Sequence, residues 1–305
     1  MVQTMKAVVV DGEGGPELLQ VREIARPAPG PGEVLVKVAF GSVNAVDKLV
    51  REGYLREYAP RPYTVGSDFA GVVVEAGAGA DLQPGTRVFG GLMPNTGSYG
   101  EYVRIGAAEL ARIPDNVSFE EAASLPVAGL TAWSALIALG ELQPGQRVLV
   151  QGAAGGVGHF AVQMARRIGA HVIGVASRAN AAFVRSLGAD EVLDYADPDY
   201  AGALHDLDLV VDGVDAASMA RVYPAIKPGG RIFSLFDQPP PPPAGVRAEF
   251  LAGGTGPGTL RDKLDNLAGM VARGELAPHI TAVYSLEEAA QAQEARRTGK
   301  VLIVK

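Results

Sequence analysis

Gln151-Gly152-Ala153-Ala154-Gly155-Gly156-Val157-Gly158 decides how this chain of 305 residues is read. Before it, Arg147-Val148-Leu149-Val150 has the composition of a short buried strand. After it, residues 157–168 have the pattern of a helix. A strand-to-helix turn of small residues has a physical use. The turn is tight, a pyrophosphate comes close to the backbone, and the helix packs close on the sheet. The helix N-terminus then offers free N–H groups and the positive end of its dipole. The spacing is AxGxxG over Ala153, Gly155 and Gly158, with alanine in the first glycine's place. Alone, such a spacing also occurs in ordinary glycine-rich turns. The strand before, the helix after and a second strand at residues 172–176 favour a dinucleotide site.

The end of that second strand reads Val175-Ala176-Ser177-Arg178. NAD-binding folds usually place an acid about 20 residues beyond the glycines, on the ribose 2′-OH. Here no acid ends the strand and an arginine is available. A carboxylate would repel a 2′-phosphate, whereas arginine pairs with it bidentately. NADP(H) is therefore the expected cofactor. The competing reading of Arg178 is a solvated surface residue.

Outward from the turn, the alternation continues. A helix is expected over 181–187, with strands near Val192, over 207–212 and over 231–235. Residues 246–250 supply a possible sixth strand, and 259–273 a closing helix. Strands alternating with helices imply a parallel sheet covered on both faces. Upstream the style differs. Val8-Val9-Val10, Val34-Leu35-Val36-Lys37-Val38 and Gly71-Val72-Val73-Val74-Glu75 are β-type runs. Pro27-Ala28-Pro29-Gly30-Pro31-Gly32 and Gln83-Pro84-Gly85-Thr86 are turn signals between them. Ser118-Phe119-Glu120-Glu121 and Ser285-Leu286-Glu287-Glu288 are capping boxes that open helices, the second running to about residue 297. A strand, Val301-Leu302-Ile303-Val304, follows, and this tail is expected to return to the first domain. Pro239 to Pro243 is a stiff loop, neither helix nor central strand.

Composition bounds the function. With 48% hydrophobic residues the chain can bury a sizeable core, and no apolar run approaches the roughly 20 residues of a membrane span. The opening Met1-Val2-Gln3-Thr4-Met5-Lys6-Ala7 lacks the layout of a signal peptide, so a cytoplasmic protein is expected. There is no cysteine, which excludes thiolate zinc sites and cysteine nucleophiles. The net charge of -7 disfavours nucleic acid and anionic membranes as partners. His159, His171, His205 and His279 show no metal-ligand spacing.

Several motifs, in the correct order, make the chain similar to the medium-chain dehydrogenases/reductases. They are Gly41-Ser42-Val43-Asn44-Ala45-Val46-Asp47, Gly66-Ser67-Asp68-Phe69-Ala70-Gly71-Val72-Val73 and Gly97-Ser98-Tyr99-Gly100-Glu101-Tyr102-Val103, then Leu125-Pro126-Val127-Ala128-Gly129-Leu130-Thr131-Ala132-Trp133 and Gly299-Lys300-Val301. The resemblance implies an α/β protein: a GroES-like, mostly β catalytic domain over 1–118 and 273–305, and a Rossmann domain, a doubly wound parallel sheet, over 119–272. The active site is expected in the cleft between them. Zinc-dependent members use cysteine where this chain has Asn44, histidine where Ser67 stands and a further cysteine near Val127. No metal is therefore expected, as in the zinc-free quinone oxidoreductases (zeta-crystallin-like).

The resemblance also implies site residues. Asn44 and Thr131 lie where the family contacts the nicotinamide, and Tyr54 follows as a possible donor to a substrate carbonyl. The family's tyrosine usually stands one position later, at Leu55. Asn44 also reads as a turn asparagine capping the segment to Asp47, Tyr54 as a packing tyrosine and Thr131 as a helix threonine. The turn Gly152, Ala153, Ala154, Gly155, Gly156, Val157 and Gly158 would hold the pyrophosphate. Ser177, Arg178 and Tyr195 would line the 2′-phosphate pocket. Asp212, Gly213 and Val214 would pass beneath the cofactor, and Phe233, Ser234 and Leu235 would lie near the contacts to the nicotinamide amide. The implied reaction is hydride delivery from NADPH to a quinone or an α,β-unsaturated carbonyl, then protonation by a side chain or water. A conjugated acceptor spreads negative charge, so hydrogen-bond donors suffice. A 2-alkenal or enoyl reductase, or a non-catalytic NADPH-binding module with a structural or RNA-associated role, remains open. A homodimer through the strand at 246–250 is expected, because a bare sheet edge is a liability.

Overall fold

The computed structural model describes residues 3–55, 59–295 and 298–305. The chain forms two compact units, Met1–Val127 with Gly258–Lys305, and Ala128–Pro257.

The first unit begins with β1 (Thr4–Val10), β2 (Gln20–Ala25) and β3 (Glu33–Ser42). In β3, Val34, Leu35, Val36 and Val38 are buried and Lys37 is exposed, so the strand is covered on one face and in part on the other. Then come α1 (Ala45–Arg51), β4 (Tyr63–Thr64), β5 (Asp68–Ala76), β6 (Arg87–Gly90), β7 (Tyr102–Gly106) and β8 (Leu110–Arg112). Next is α2 (Phe119–Ser124), where the Ser118 Oγ accepts from the Glu121 N–H at 3.1 Å, as the capping box required. The chain passes out of this unit within α3 (Pro126–Trp133).

The second unit contains β9 (Arg147–Gln151), α4 (Gly158–Ile168), β10 (His171–Ala176), α5 (Ala181–Ser186), β11 (Glu191–Asp194), β12 (Leu207–Asp212), α6 (Ala216–Val222), β13 (Ile226–Ser234) and β14 (Arg247–Phe250). All adjacent strands run parallel, in the order β11-β10-β9-β12-β13-β14. This is the doubly wound order, and its direction of progression reverses at β9, the switch point outside which ligands bind. Leu149, Ile173, Val210 and Ile232 are buried on one face of these strands and Val148, Val172, Val211 and Phe233 on the other, as a sheet covered on both faces requires. Residues 239–243 are neither helix nor strand.

The chain returns to the first unit with α7 (Leu260–Ala272), β15 (Ile280–Tyr284), α8 (Ala289–Glu294) and β16 (Lys300–Val304). β16 pairs antiparallel with β3, Leu302 opposite Ser42, and β15 adds to its other edge. Sequence reading did not anticipate β15. The helix expected to about residue 297 begins as a 3-10 turn and ends at Glu294; residues 296–297 lie outside the described residues. The unit has a three-stranded sheet, β2-β1-β4, and a larger one, β15-β16-β3-β5-β6-β8, with β7 also on β3. Helices α2 and α7, expected with the parallel sheet, group with this unit. The reason is packing: α2 lies against β3 and β5, and α7 against β8, where Arg261 donates to the Leu110 carbonyl at 2.9 Å.

Candidate functional site

In the second unit the glycine turn joins the carboxyl end of β9 to α4. Gly152 has φ +71°, a conformation that costs an L side chain strain. A Cβ on Gly158 would lie 2.2 Å from the Gly152 carbonyl oxygen, so only glycine lets the helix start this close to the turn. The Ala153 N–H donates to the Val175 carbonyl at 3.0 Å, and the Gly155 N–H to that of Gly152 at 2.9 Å. His159 is fully buried and its Nδ1 lies 2.9 Å from the Gly155 carbonyl, bracing the turn from behind. The Gly156 and Val157 N–H groups have no partner among the described residues. A backbone cradle with free donors at a helix start fits a pyrophosphate.

At the carboxyl end of β10, Ser177 is half-buried and Arg178 is exposed; the Arg178 carbonyl accepts the Ala181 N–H, and its guanidinium has no hydrogen bond or ion pair to any described residue. The neighbouring strand brings Tyr195 to the same end. Its N–H donates to the Ala176 carbonyl at 3.3 Å, and its side chain is 60% exposed. The nearby carboxylate of Asp194 accepts the Ala196 N–H at 3.0 Å. Ser177, Arg178 and Tyr195 therefore form one surface.

Beneath the turn lies a buried polar network. The Gln151 amide donates to Asp212 Oδ2 at 3.0 Å and accepts from the Tyr200 hydroxyl at 2.8 Å. Ser218 donates to Asp212 Oδ2 at 2.8 Å, and the Val214 N–H to Oδ1 at 2.7 Å. Burial pushes the Asp212 carboxyl up to about 6, while the bonds from Ser218 and Val214 hold it back. Gly213 follows it and Val214 is exposed at the strand end. Phe233 and Ser234 are buried, so of these only Leu235, half-buried, brings side chain toward the surface. A cavity of about 460 Å³ opens at the opposite, amino end of β12, lined by Glu141, Asp208, Lys227 and Arg231. Lys227 pairs with Asp208 at 2.6 Å and Arg231 with Glu141 at 2.9 Å, so those charges answer one another and the cavity is not the dinucleotide face.

In the first unit, Asn44 caps α1 and its N–H donates to Asp47 Oδ2 at 2.9 Å. Its side chain turns elsewhere. Nδ2 donates to Asp68 Oδ2 at 2.8 Å, and Oδ1 accepts from Lys300 Nζ at 2.6 Å. The Val127 N–H donates to both Asp68 oxygens, at 3.1 and 3.2 Å. Ser67 donates to Asp47 Oδ1 at 2.6 Å and the Tyr99 hydroxyl to Oδ2 at 3.2 Å. Asp47, Ser67 and Asp68 are completely buried and Lys300 nearly so. Burial pushes the Asp68 carboxyl up to about 7 against the pull of Lys300 and Asn44. The reading of Asn44 as a helix-capping turn residue and its placement in a polar site thus both describe it.

Tyr54 lies beyond the other end of α1 from Asn44, 62% exposed, its hydroxyl free of partners among the described residues. Leu55 beside it is also exposed. Thr131 is buried in α3, assigned to the other unit. Sequence reading passed over Asp47, Asp68 and Lys300 as site residues. The available signal was charge inside apolar strands: Lys300 opens the run Val301-Leu302-Ile303-Val304, and Asp68 precedes Phe69-Ala70-Gly71-Val72. No group of His, Cys, Asp or Glu among the described residues is arranged to hold a metal.

Comparison with known proteins agrees with this fold. An alcohol dehydrogenase GroES-like domain model matches residues 30–115, and a zinc-binding dehydrogenase model matches residues 187–303. The human synaptic vesicle membrane protein VAT-1 homolog is 31% identical over 98% of this chain and 86% of its own length. A chloroplastic quinone-oxidoreductase homolog of Spinacia oleracea is 35% identical, covering 77% of this chain and 76% of its own. The solved quinone oxidoreductase from Coxiella burnetii superposes with a TM-score of 0.90 at 29% identity, over 99% of this chain and 100% of that one.

Proposed function

Because the chain belongs to the medium-chain dehydrogenase/reductase family, in its quinone oxidoreductase branch, we propose that this oxidoreductase uses NADPH to reduce quinones or α,β-unsaturated carbonyls without zinc. The observation that carries the cofactor choice is the unpaired guanidinium of Arg178 at the carboxyl end of β10, beside Tyr195. It supplies a charge-assisted partner for a 2′-phosphate at the place where NAD-binding folds hold a carboxylate.

Bound NADPH supplies the hydride. The chain's part is to bind and to orient. Gly152 to Gly158 would receive the pyrophosphate on backbone N–H groups, and Ser177, Arg178 and Tyr195 the adenosine phosphate. Asn44 and Thr131 would border the nicotinamide. The Asn44 amide is already committed at both ends, so the free Tyr54 hydroxyl is the better donor for a substrate carbonyl. The zinc-free reading rests on the donor set: there is no cysteine, and the Asn44 and Ser67 side chains are held by Asp68, Lys300 and Asp47. A homodimer through β14 belongs to the same reading. It is the edge strand of the parallel sheet, and Phe250 on it is 46% exposed.

The test is NADPH and NADH oxidation by the purified protein with 1,4-benzoquinone, 9,10-phenanthrenequinone and an enone panel. Turnover with NADPH well above that with NADH is expected. Tight NADPH binding with no turnover on any acceptor would replace the enzyme by a non-catalytic binding module.

A further inference from the structure

Asn44 carries an amide whose two ends are sterically alike, so its neighbours decide which way it points. Three neighbours in this chain set it: Lys300, Asp68 and the Ser42 carbonyl, which accepts from Nδ2 at 3.4 Å. An ammonium only donates and an ionised carboxylate only accepts. Lys300 Nζ, at 2.6 Å, takes the oxygen, and Asp68 Oδ2, at 2.8 Å, takes the nitrogen. Lys300 also reaches the Val43 carbonyl at 3.4 Å and Asp68 Oδ2 at 3.9 Å. The three residues come from β16, the start of α1 and the start of β5, and each is at most 5% exposed. An isolated buried ion pair seldom adds stability over apolar residues of the same size. The position it imposes on a third group is a reason to keep it.

We propose that Lys300 is a positioning residue: its ammonium fixes the orientation of the Asn44 amide and keeps Asp68 an acceptor, so that Asn44 presents one fixed face to the nicotinamide. The proposal rests on the reading of Asn44 as a site residue. Without Lys300, Asp68 loses its nearest opposite charge and holds a proton to higher pH. A protonated Asp68 can donate, and then only the long 3.4 Å bond to the Ser42 carbonyl still favours the original orientation of the amide. Asp47, which takes bonds from Ser67, Tyr99 and the Asn44 backbone, is a second buried carboxyl whose charge pushes Asp68 up, in the same direction as the loss of Lys300.

The experiment compares Lys300→Met with the double variant Lys300→Met/Asp68→Asn, which removes both buried charges together and protects the fold. Two readouts are taken. The first is the pH titration of the Asn44 side-chain amide in ligand-free, asparagine-labelled protein by NMR. The second is kcat with NADPH and a quinone, set against the Kd for NADPH. In Lys300→Met the titration midpoint should move to higher pH and kcat fall about tenfold or more, with Kd changed by less than about threefold. The double variant should lose the titration and keep the low kcat. An unmoved midpoint overturns the proposal, and so does a moved midpoint with wild-type kcat. If Lys300→Met does not fold, wild-type kcat in the double variant overturns it. If the wild type turns over no acceptor, the functional reading fails on that result, and the ligand-free titration decides the role of Lys300.

Discussion

The glycine turn of the second unit and the Asn44 network of the first are built in opposite ways. The turn is made of consecutive residues, its donors are backbone N–H groups, and the Arg178 guanidinium proposed as the 2′-phosphate partner is exposed. The network draws on residues 44, 47, 67, 68, 99, 127 and 300, and its polar atoms are directed at one another. The first is a surface waiting for an anion. The second is an internally satisfied support, whose effect on a reaction passes through the one residue it holds. A ligand should therefore feel a change in the turn directly and a change in the network indirectly.

The strongest effect is expected at Gly158. Gly158→Val drives side-chain atoms into the Gly152 carbonyl, so dinucleotide affinity should fall more than about a hundredfold, read by calorimetry. Next comes Arg178→Ala. Loss of a charge-assisted bond of about 1.5–3 kcal/mol should weaken NADPH about ten- to hundredfold and leave NADH nearly unchanged. Ser177→Asp should move the preference toward NADH. Equal wild-type affinity for the two cofactors would make Arg178 an ordinary surface residue.

Asn44→Ala tests the indirect side. It should lower kcat by about tenfold, more than it weakens NADPH binding, and wild-type turnover would remove Asn44 from the site. A pH-dependent effect, on stability rather than on binding or turnover, is expected at Asp212. Its folded value of about 6 lies above the unfolded value of about 3.9. The carboxyl therefore adds stability at low pH and loses that contribution as pH rises through about 6. Asp212→Asn does not titrate, so its melting temperature relative to wild type should improve between pH 4 and pH 8, by up to the equivalent of about 3 kcal/mol. A constant difference across that range would show that Asp212 stays ionised. The smallest expected effect is none at all: EDTA should leave turnover unchanged, and elemental analysis should find far less than one zinc per chain. Activity lost to EDTA and restored by zinc would reverse the metal-free reading.

How much of this was legible in the sequence follows the same contrast. The turn, α4 and the strand after them could be read because tight turns, helix starts and buried strands leave local signatures in neighbouring residues. The six parallel strands followed from alternation alone. The short strand β15 escaped because Ile280-Thr281-Ala282-Val283-Tyr284 is only half covered and gains its partner, β16, from the returning tail. The placement of α2 and α7 with the first unit escaped for a related reason: capping boxes announce where a helix starts, not which sheet it covers. Resemblance is the ground on which Asn44 and Thr131 are expected beside the nicotinamide. Lys300 and Asp68 could not be joined to Asn44, because no pattern in the chain says that residue 300 meets residue 44. Asp212 was read for its backbone, while its side chain proves to be the centre of a buried network with Gln151 and Ser218.

The pairing of β16 with β3 also has a consequence for biosynthesis. A growing chain emerges N-terminal end first, and domains fold as units as they appear. Residues 128–257 are contiguous and can settle while the ribosome is still adding β16. The larger sheet of the first unit is incomplete at that stage: Gly41 and Ser42 pair with Phe69 and Asp68 of β5 on one side, but their other edge stays open until Ile303 and Leu302 arrive. Lys300 travels with that last strand. The nascent protein would thus hold its nucleotide cradle well before Asn44 acquires its ammonium partner, and competence to bind would precede competence to react.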